Sequence, residues 1–179
     1  NDPKYVVGAI KNAALAERYM PDWECRFYVA GDVSEDTLKK LKKFSTTNII
    51  KTNRPWNFTF TMERFKVFSD PTVDVAVCRD TDGRISAREI LAVEEWLASG
   101  LDFHIMKDHP TGHSAVMSAG MWGARADALR DIEQLMNVFL QAPNVDRNQR
   151  GVDQEFLGEI IYPRVWESCL YHTKWYHGK

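Results

Sequence analysis

The chain has 179 residues, 44% of them hydrophobic, and a formal net charge of −2. This size and composition predict one globular domain, residues 1–179, with enough apolar material for a core. The charge gives no electrostatic basis for binding nucleic acid. No segment has the roughly eighteen apolar residues that a membrane-spanning helix needs, and Asn1 begins no signal peptide. Cysteines odd in number and set in apolar segments favour reduced core thiols in a cytoplasmic protein.

Helical and strand patterns alternate along the chain. Tyr5–Tyr19 carries alanines and spaced apolar residues and is predicted to be helical, although Tyr5–Ile10 is also compatible with a strand. This alternation predicts an α/β fold with a mainly parallel sheet covered by helices on both faces. The other predicted strands are Cys25–Val29, Asn48–Lys51, a strand from Val73, Phe103–Met106 and Leu170–Trp175, and the other predicted helices are Glu35–Phe44, Thr61–Val67, Ser86–Leu97, Asp127–Leu140 and Val152–Ile161.

The strand that begins at Val73 ends in the sequence Asp80-Thr81-Asp82. Residues i and i+2 of a strand point the same way, so the carboxylates of Asp80 and Asp82 are predicted to converge on one divalent cation. Ligands of α/β folds collect at the carboxyl ends of strands, where Mg²⁺ or Mn²⁺ can bind carboxylate and phosphate oxygens. The motif therefore indicates metal-assisted handling of a phosphorylated substrate.

The same segment has three other interpretations. An EF-hand would use Asp80, Asp82 and Glu89 as calcium ligands. Cys78 would then stand at the first ligand position, however, and the valines before it favour a strand over a helix. A haloacid-dehalogenase-like phosphohydrolase also uses Asp-x-Asp, normally at the end of the first strand of its domain. Finally, Asp and Gly are ordinary turn residues, and Ser86 with Glu89 forms a helix capping box.

Segments along nearly the whole chain match a known family in order. They are Pro3–Tyr5 with Gly8–Ile10, Met62–Phe65, Arg79–Ile85 with Arg88 and Glu89, His104–Pro110, Gly120–Gly123 and Val152–Leu157. On these segments the sequence resembles the GT-A-fold glycosyltransferases, most closely the small glycosyltransferase domains of large algal (chlorella) viruses. The resemblance implies a GT-A-like, Rossmann-like domain. The chain is short for that family, which favours either a domain of a larger multidomain polypeptide or a very compact acceptor side.

The resemblance also implies an activity. A hexosyl or deoxyhexosyl group would pass from a nucleotide-sugar donor, UDP-linked, to a glycan or glycoprotein acceptor, in the host cytoplasm if the protein is viral. Mn²⁺ or Mg²⁺ is the implied cofactor, held on the donor diphosphate by Asp80 and Asp82, where it would offset charge on the leaving group. His172 is the implied third metal ligand, since members often recruit a late-chain His or Asp.

The resemblance places further residues at the donor. Retaining members often carry a sugar-contacting Arg, which corresponds to Arg64. Several retaining families have an Asp-Gln pair at the donor sugar, which corresponds to Asp153 and Gln154. Arg64 is otherwise a surface helix arginine, and Asp153 a carboxylate capping a helix start. The remaining candidates for donor or acceptor contacts are His109 and His113 in the loop after Asp108, Gly120 and Trp122, with Arg79, Arg84 and Arg88 as phosphate clamps.

Several of these roles have structural alternatives. Each arginine is more readily explained by pairing with a nearby carboxylate than by binding phosphate. Trp122 either stacks on a sugar or packs in the core. Members of the family usually have one more strand ahead of the Pro3–Tyr19 equivalent, which here is either absent or formed by Tyr5–Ile10. The functional alternatives are a metal-dependent phosphohydrolase, for which no acidic pair follows Asp108, and a non-catalytic nucleotide-sugar or glycan binding domain.

Overall fold

The computed structural model describes residues 2–107 and 115–173. Within these ranges the chain is an α/β protein in which helices pack on two small sheets. No helix in this part of the chain is long and apolar enough to cross a membrane. The strands are β1 (Cys25–Val29), β2 (Thr47–Lys51), β3 (Val75–Arg79), β4 (Phe103–Lys107), β5 (Met121–Arg125) and β6 (Cys169–Thr173). The α-helices are α1 (Pro3–Tyr19), α2 (Glu35–Leu41), α3 (Ala87–Ser99), α4 (Ile132–Gln141), α5 (Val152–Phe156) and α6 (Tyr162–Val165).

Tighter and wider helical turns complete the structure. The segment predicted as the helix Thr61–Val67 is a 3₁₀ helix over Phe58–Ser69. The predicted helix Asp127–Leu140 is divided, because a 3₁₀ turn precedes α4. The predicted helix Val152–Ile161 continues past α5 as a π-helical turn. The strand alternative for Tyr5–Ile10 is wrong, because α1 is helical from Pro3 onward.

Local signals explain where the helices begin and end. The Ser86 hydroxyl accepts a hydrogen bond from the Glu89 backbone N–H at 3.4 Å, as a helix N-cap does. Gly100 ends α3 in the left-handed region at φ 76°, where glycine has no Cβ penalty. The segment before Asp80 is the strand β3, and the Glu89 carboxylate pairs with Arg79. The EF-hand interpretation is therefore wrong.

The sheets are mixed rather than mainly parallel. The larger sheet has the order β3-β5-β4-β6, and β1 and β2 form a separate parallel pair. β4 and β6 are parallel, but β5 lies between β3 and β4 and runs antiparallel to both. The prediction of a mainly parallel sheet is wrong because β5 appears in the sequence only as the end of an apolar stretch. Without it, every strand is separated from the next by a helix, which is typical of parallel pairing.

Each sheet has its own apolar core. The larger core packs β3, β4 and β5 against the Phe58–Ser69 helix, α4 and α5. The smaller core packs α1 on β1 and β2, with Ala13 and Leu41 buried against Phe27 and Ile49. The three cysteines are free thiols, and burial raises the pKa of Cys25 to about 11 and that of Cys78 and Cys169 to about 12. These thiols are therefore protonated near neutral pH.

Candidate active site

The aspartate pair lies in a tight turn at the carboxyl end of β3. Gly83 closes this turn with a backbone hydrogen bond of 3.2 Å from its N–H to the Asp80 carbonyl. The Asp80 side chain is 53% exposed and that of Asp82 is 28% exposed, so both carboxylates can be reached from solvent. The structure thus presents the two carboxylates at a strand end, where α/β proteins commonly bind ligands.

Arg64 connects Asp80 to a second carboxylate that is distant in sequence. One terminal guanidinium nitrogen lies 2.5 Å from Asp80 Oδ1, and the other lies 2.8 Å from Asp153 Oδ2. Asp80 follows Arg64 by 16 residues and Asp153 follows it by 89. Burial acts to lower the pKa of the Arg64 guanidinium, but the negative charges of Asp80 and Asp153 outweigh burial and raise it. Three residues that the resemblance implies at the reaction centre are therefore in direct contact.

Asp153 is a buried carboxylate in the first turn of α5. Its residue is 7% exposed, and its Oδ1 accepts a hydrogen bond of 3.0 Å from the Gln154 backbone N–H. Gly151 precedes α5 in the left-handed region at φ 94°. Because a buried carboxylate needs a partner, the pairing with Arg64 accounts for how a charge is tolerated here. Asp153 also has the position of a carboxylate stabilised by the helix dipole, so the structural alternative of a helix-start carboxylate describes it as well.

Gln154 and Gly120 shape the space around Asp80. The Gln154 side-chain oxygen accepts a hydrogen bond of 2.6 Å from the Ala119 backbone N–H. At the next residue, a Cβ added to Gly120 would lie 2.2 Å from Asp80 Cγ and Oδ2. Only glycine lets the backbone approach the carboxylate this closely. Gln154 therefore holds a backbone segment whose close contact with Asp80 requires a residue without a side chain.

Helix α1 contributes contacts to the turn that the sequence did not predict. Lys4 Nζ lies 2.6 Å from Asp82 Oδ2, and this hydrogen bond raises the pKa of the Lys4 ammonium. The Asn12 amide donates to the Gly83 carbonyl at 3.0 Å. A Cβ at Gly8 would lie 1.9 Å from the Thr81 carbonyl oxygen. A glycine and a polar Asn facing one side of an alanine-rich helix were the available signal for this contact.

The three candidate phosphate-binding arginines have other contacts. The Arg79 guanidinium pairs with Glu89 and donates to the carbonyls of Cys78 and Trp122. The Arg84 guanidinium donates to the Thr81 carbonyl at 3.0 Å and to the Gly83 carbonyl. Burial is the main cause of the lowered pKa of the His104 imidazole, and the positive charge of Arg88 lowers it further. Arg79 is thus paired with a carboxylate, as the structural alternative predicted, whereas Arg84 stabilises the aspartate turn by hydrogen bonds to its carbonyls.

His172 lies away from the aspartate pair. It belongs to β6, at the opposite edge of the four-stranded sheet from β3. Its Nδ1 is 2.9 Å from His104 Nε2, and its Nε2 is 3.1 Å from Glu95 Oε2. Three strand spacings of about 4.8 Å separate β6 from β3, too far for His172 to share a cation with Asp80. The expectation of His172 as third metal ligand therefore needs correction.

Trp122 is a core residue and not a sugar platform. Its side chain is fully buried, with ring centroids 5.5 Å from Phe65 and 4.8 Å from Phe68. Aromatic stacking on a sugar requires an exposed ring face, so the core alternative is the correct one for this residue. The other predicted pocket residues, His109 and His113, lie outside the described residues.

Comparison of the chain with protein-family models, with curated proteins and with solved structures finds no match. The functional argument therefore rests on the geometry of Arg64, Asp80 and Asp153 and of the residues around them.

Proposed function

We propose that this chain is a metal-dependent glycosyltransferase of GT-A-like fold. It would move a hexosyl or deoxyhexosyl group from a UDP-linked sugar to a glycan or glycoprotein acceptor. The observation that carries the proposal is the Arg64 bridge between Asp80 and Asp153. It joins an exposed carboxylate suited to a cation with a buried carboxylate suited to positive charge on a sugar. A metal-dependent transfer from a nucleotide-sugar would use the first at the leaving diphosphate and the second at the anomeric carbon.

The aspartate pair has the chemistry to hold Mn²⁺ or Mg²⁺. Both residues offer hard carboxylate oxygens, and Gly120 leaves the Asp80 carboxylate clear of any side chain at that position. No group of three protein ligands occurs in residues 2–107 and 115–173. Mg²⁺ in phosphate sites is commonly held by one or two carboxylates, with substrate phosphates and water as the other ligands. A bound cation would offset the negative charge that builds on the leaving diphosphate.

Asp153 and Arg64 have separate roles in this proposal. A carboxylate shielded from water attracts positive charge at the anomeric carbon more strongly than an exposed one. Arg64 holds Asp153 at a set position relative to Asp80, which orients the sugar against its diphosphate. Gln154 holds the Ala119 backbone by a hydrogen bond, which keeps Gly120 against the Asp80 carboxylate. The proposal includes retention of the anomeric configuration, which analysis of the product anomer tests.

The first experiment measures donor binding with and without metal. Thermal shift and calorimetry with UDP and a panel of UDP-sugars should show binding that depends on Mn²⁺, since a ligand of the native state raises the melting temperature. The variant carrying Asp80→Asn and Asp82→Asn should lose this dependence. Asp127→Asn is the matched control, because Asp127 is 91% exposed and pairs only at the surface with Arg130.

Two results would contradict the proposal. Mn²⁺-dependent binding that survives in the double variant would put the site elsewhere. Release of inorganic phosphate from the nucleotide without any sugar transfer would indicate the phosphohydrolase alternative. Sugar transfer is measured by mass spectrometry of a mixture of glycan acceptors. When no acceptor is present, we expect the enzyme to hydrolyse the donor to free sugar.

A further inference from the structure

Helix α1 contacts the aspartate turn through residues on one side of the helix. Lys4, Gly8 and Asn12 are four residues apart, so their side chains fall on the same face. Gly8 allows the helix backbone to lie against the Thr81 carbonyl. The Asn12 amide donates to the Gly83 carbonyl at 3.0 Å. The first turns of α1 are therefore fixed against the turn that carries the two carboxylates.

Each carboxylate of the pair has its own positively charged partner. Arg64 lies 2.5 Å from Asp80, and Lys4 Nζ lies 2.6 Å from Asp82 Oδ2. The Arg64 side chain is 22% exposed and also pairs with the buried Asp153, whereas the Lys4 side chain is 61% exposed. An exposed ion pair contributes little to stability, so the Lys4 ammonium can readily exchange Asp82 for another partner.

A divalent cation on the aspartate pair would compete directly with Lys4. The ammonium contacts Asp82 Oδ2, a hard oxygen of the kind that Mn²⁺ and Mg²⁺ bind. A cation beside that oxygen would also repel the ammonium, because the two positive charges would lie close together. Binding of the cation should therefore release Lys4 from Asp82.

The released ammonium would remain beside the site. The Lys4 backbone N–H donates to the side chain of the N-cap residue Asp2 at 2.8 Å, so the backbone of Lys4 is held in place while its side chain moves. Phosphate oxygens that share a cation with Asp82 lie next to that carboxylate, and so within reach of Lys4. A lysine ammonium has three donors and a compact positive charge, which suit phosphate oxygens.

We propose that Lys4 is a further donor-binding residue, which pairs with Asp82 before a cation binds and contacts the donor diphosphate afterwards. This inference rests on the proposed function, since it requires the cation on Asp80 and Asp82. The cation has to displace Lys4 and therefore binds less tightly on its own. The nucleotide then supplies a new partner for the displaced ammonium. Loss of Lys4 should thus change the affinities for cation and nucleotide in opposite directions.

The test compares Lys4→Met with the parent for each ligand separately. Binding of Mn²⁺ alone is measured by electron paramagnetic resonance of the free ion, and binding of UDP is measured by calorimetry at saturating Mn²⁺. Lys11→Met is the matched control. It removes a positive charge from the exposed surface of the same helix, about 10 Å along the helix axis from Lys4.

Lys4→Met should bind Mn²⁺ alone about threefold more tightly than the parent, because the competing ammonium is absent. It should bind UDP at saturating Mn²⁺ about tenfold more weakly, because a charge-assisted contact to phosphate is lost. Lys11→Met should stay within about twofold of the parent in both measurements, because solvent and salt screen a charge at that distance. A purely structural role of Lys4 would instead weaken the binding of both ligands.

Four results would overturn the inference. Mn²⁺ binding no tighter in Lys4→Met than in the parent would contradict the release of Lys4, and unchanged UDP affinity would contradict its contact with the diphosphate. Equal changes in Lys11→Met would assign the effect to the net charge of α1. A parent that binds neither Mn²⁺ nor UDP through Asp80 and Asp82 would contradict the proposed function together with this inference, whereas the first three results leave the proposed function standing.

Discussion

Replacing Arg64 by Met should destabilise the protein strongly, because Met fills similar space without the guanidinium that pairs with Asp153. Asp153 is 7% exposed, so its carboxylate would remain buried without a counter-charge. Breaking a buried ion pair by removing one partner costs about 3–5 kcal/mol. The lost contact to Asp80, which is 53% exposed, adds at most about 1 kcal/mol. For a domain of this size, the buried part corresponds to a fall in melting temperature of about 6–20 °C.

Urea denaturation at pH 7 measures this change in the free energy of unfolding. Arg164→Met is the matched control, since the pair of Arg164 with Asp131 is 44% and 42% exposed and should contribute about 0–1 kcal/mol. Adding Asp153→Asn to Arg64→Met should recover part of the loss, because the amide removes the unpaired charge. An Arg64→Met variant within about 1 kcal/mol of the parent would refute the argument that Arg64 neutralises a buried carboxylate.

Two further changes test the surroundings of the site and the sheet. Gly120→Ala should weaken Mn²⁺-dependent donor binding at least tenfold in calorimetry, because a Cβ there would lie 2.2 Å from the Asp80 carboxylate, and unchanged affinity would contradict the close contact. Burial lowers the pKa of His104 to about 3, below the ordinary value of 6.5, so the unfolded state binds the proton first as pH falls. Urea titrations should show that neutral His104 contributes to the free energy of unfolding above pH 6.5. Below pH 6.5 the free energy of unfolding should fall by about 1.4 kcal/mol per pH unit, and His104→Gln should flatten this pH dependence.

The sequence was most informative where local chemistry determines the structure. β3 could be predicted from its valines, and the start of α3 from Ser86, because both depend on neighbours along the chain. β5 could not be recognised, since an apolar run that becomes a buried antiparallel strand resembles any buried segment. The missing strand changed the predicted sheet from mixed to mainly parallel. Sheet order is a non-local property, and a single missed strand alters it.

The site shows the same division between local and non-local information. Asp80 and Asp82 were identified from their position after a strand. Arg64 and Asp153 came from the resemblance alone, because no local pattern reveals a contact between residues 89 positions apart. Lys4 was missed for the same reason.

Two site predictions failed on burial and on sheet position. A Trp in an apolar segment has the same sequence pattern whether its ring packs inside or faces a ligand, and Trp122 packs inside. His172 was expected at the metal from its place late in the chain, but β6 lies at the far edge of the sheet from β3. Neither property can be read from the residue and its neighbours, because both are decided by how distant segments pack.

The most direct test of the central claim is the turnover of Asp153→Asn with a UDP-sugar and Mn²⁺. The amide keeps the shape of the side chain and removes its charge, so an interaction that strengthens in the transition state should be lost without loss of donor binding. We expect kcat to fall by about 10²–10³-fold, while the donor Kd from calorimetry stays within about threefold of the parent, because uniform binding is unaffected. Glu155→Gln, on the same helix, should retain parental kcat and Kd. Parental turnover in Asp153→Asn would contradict the placement of Asp153 at the reaction centre.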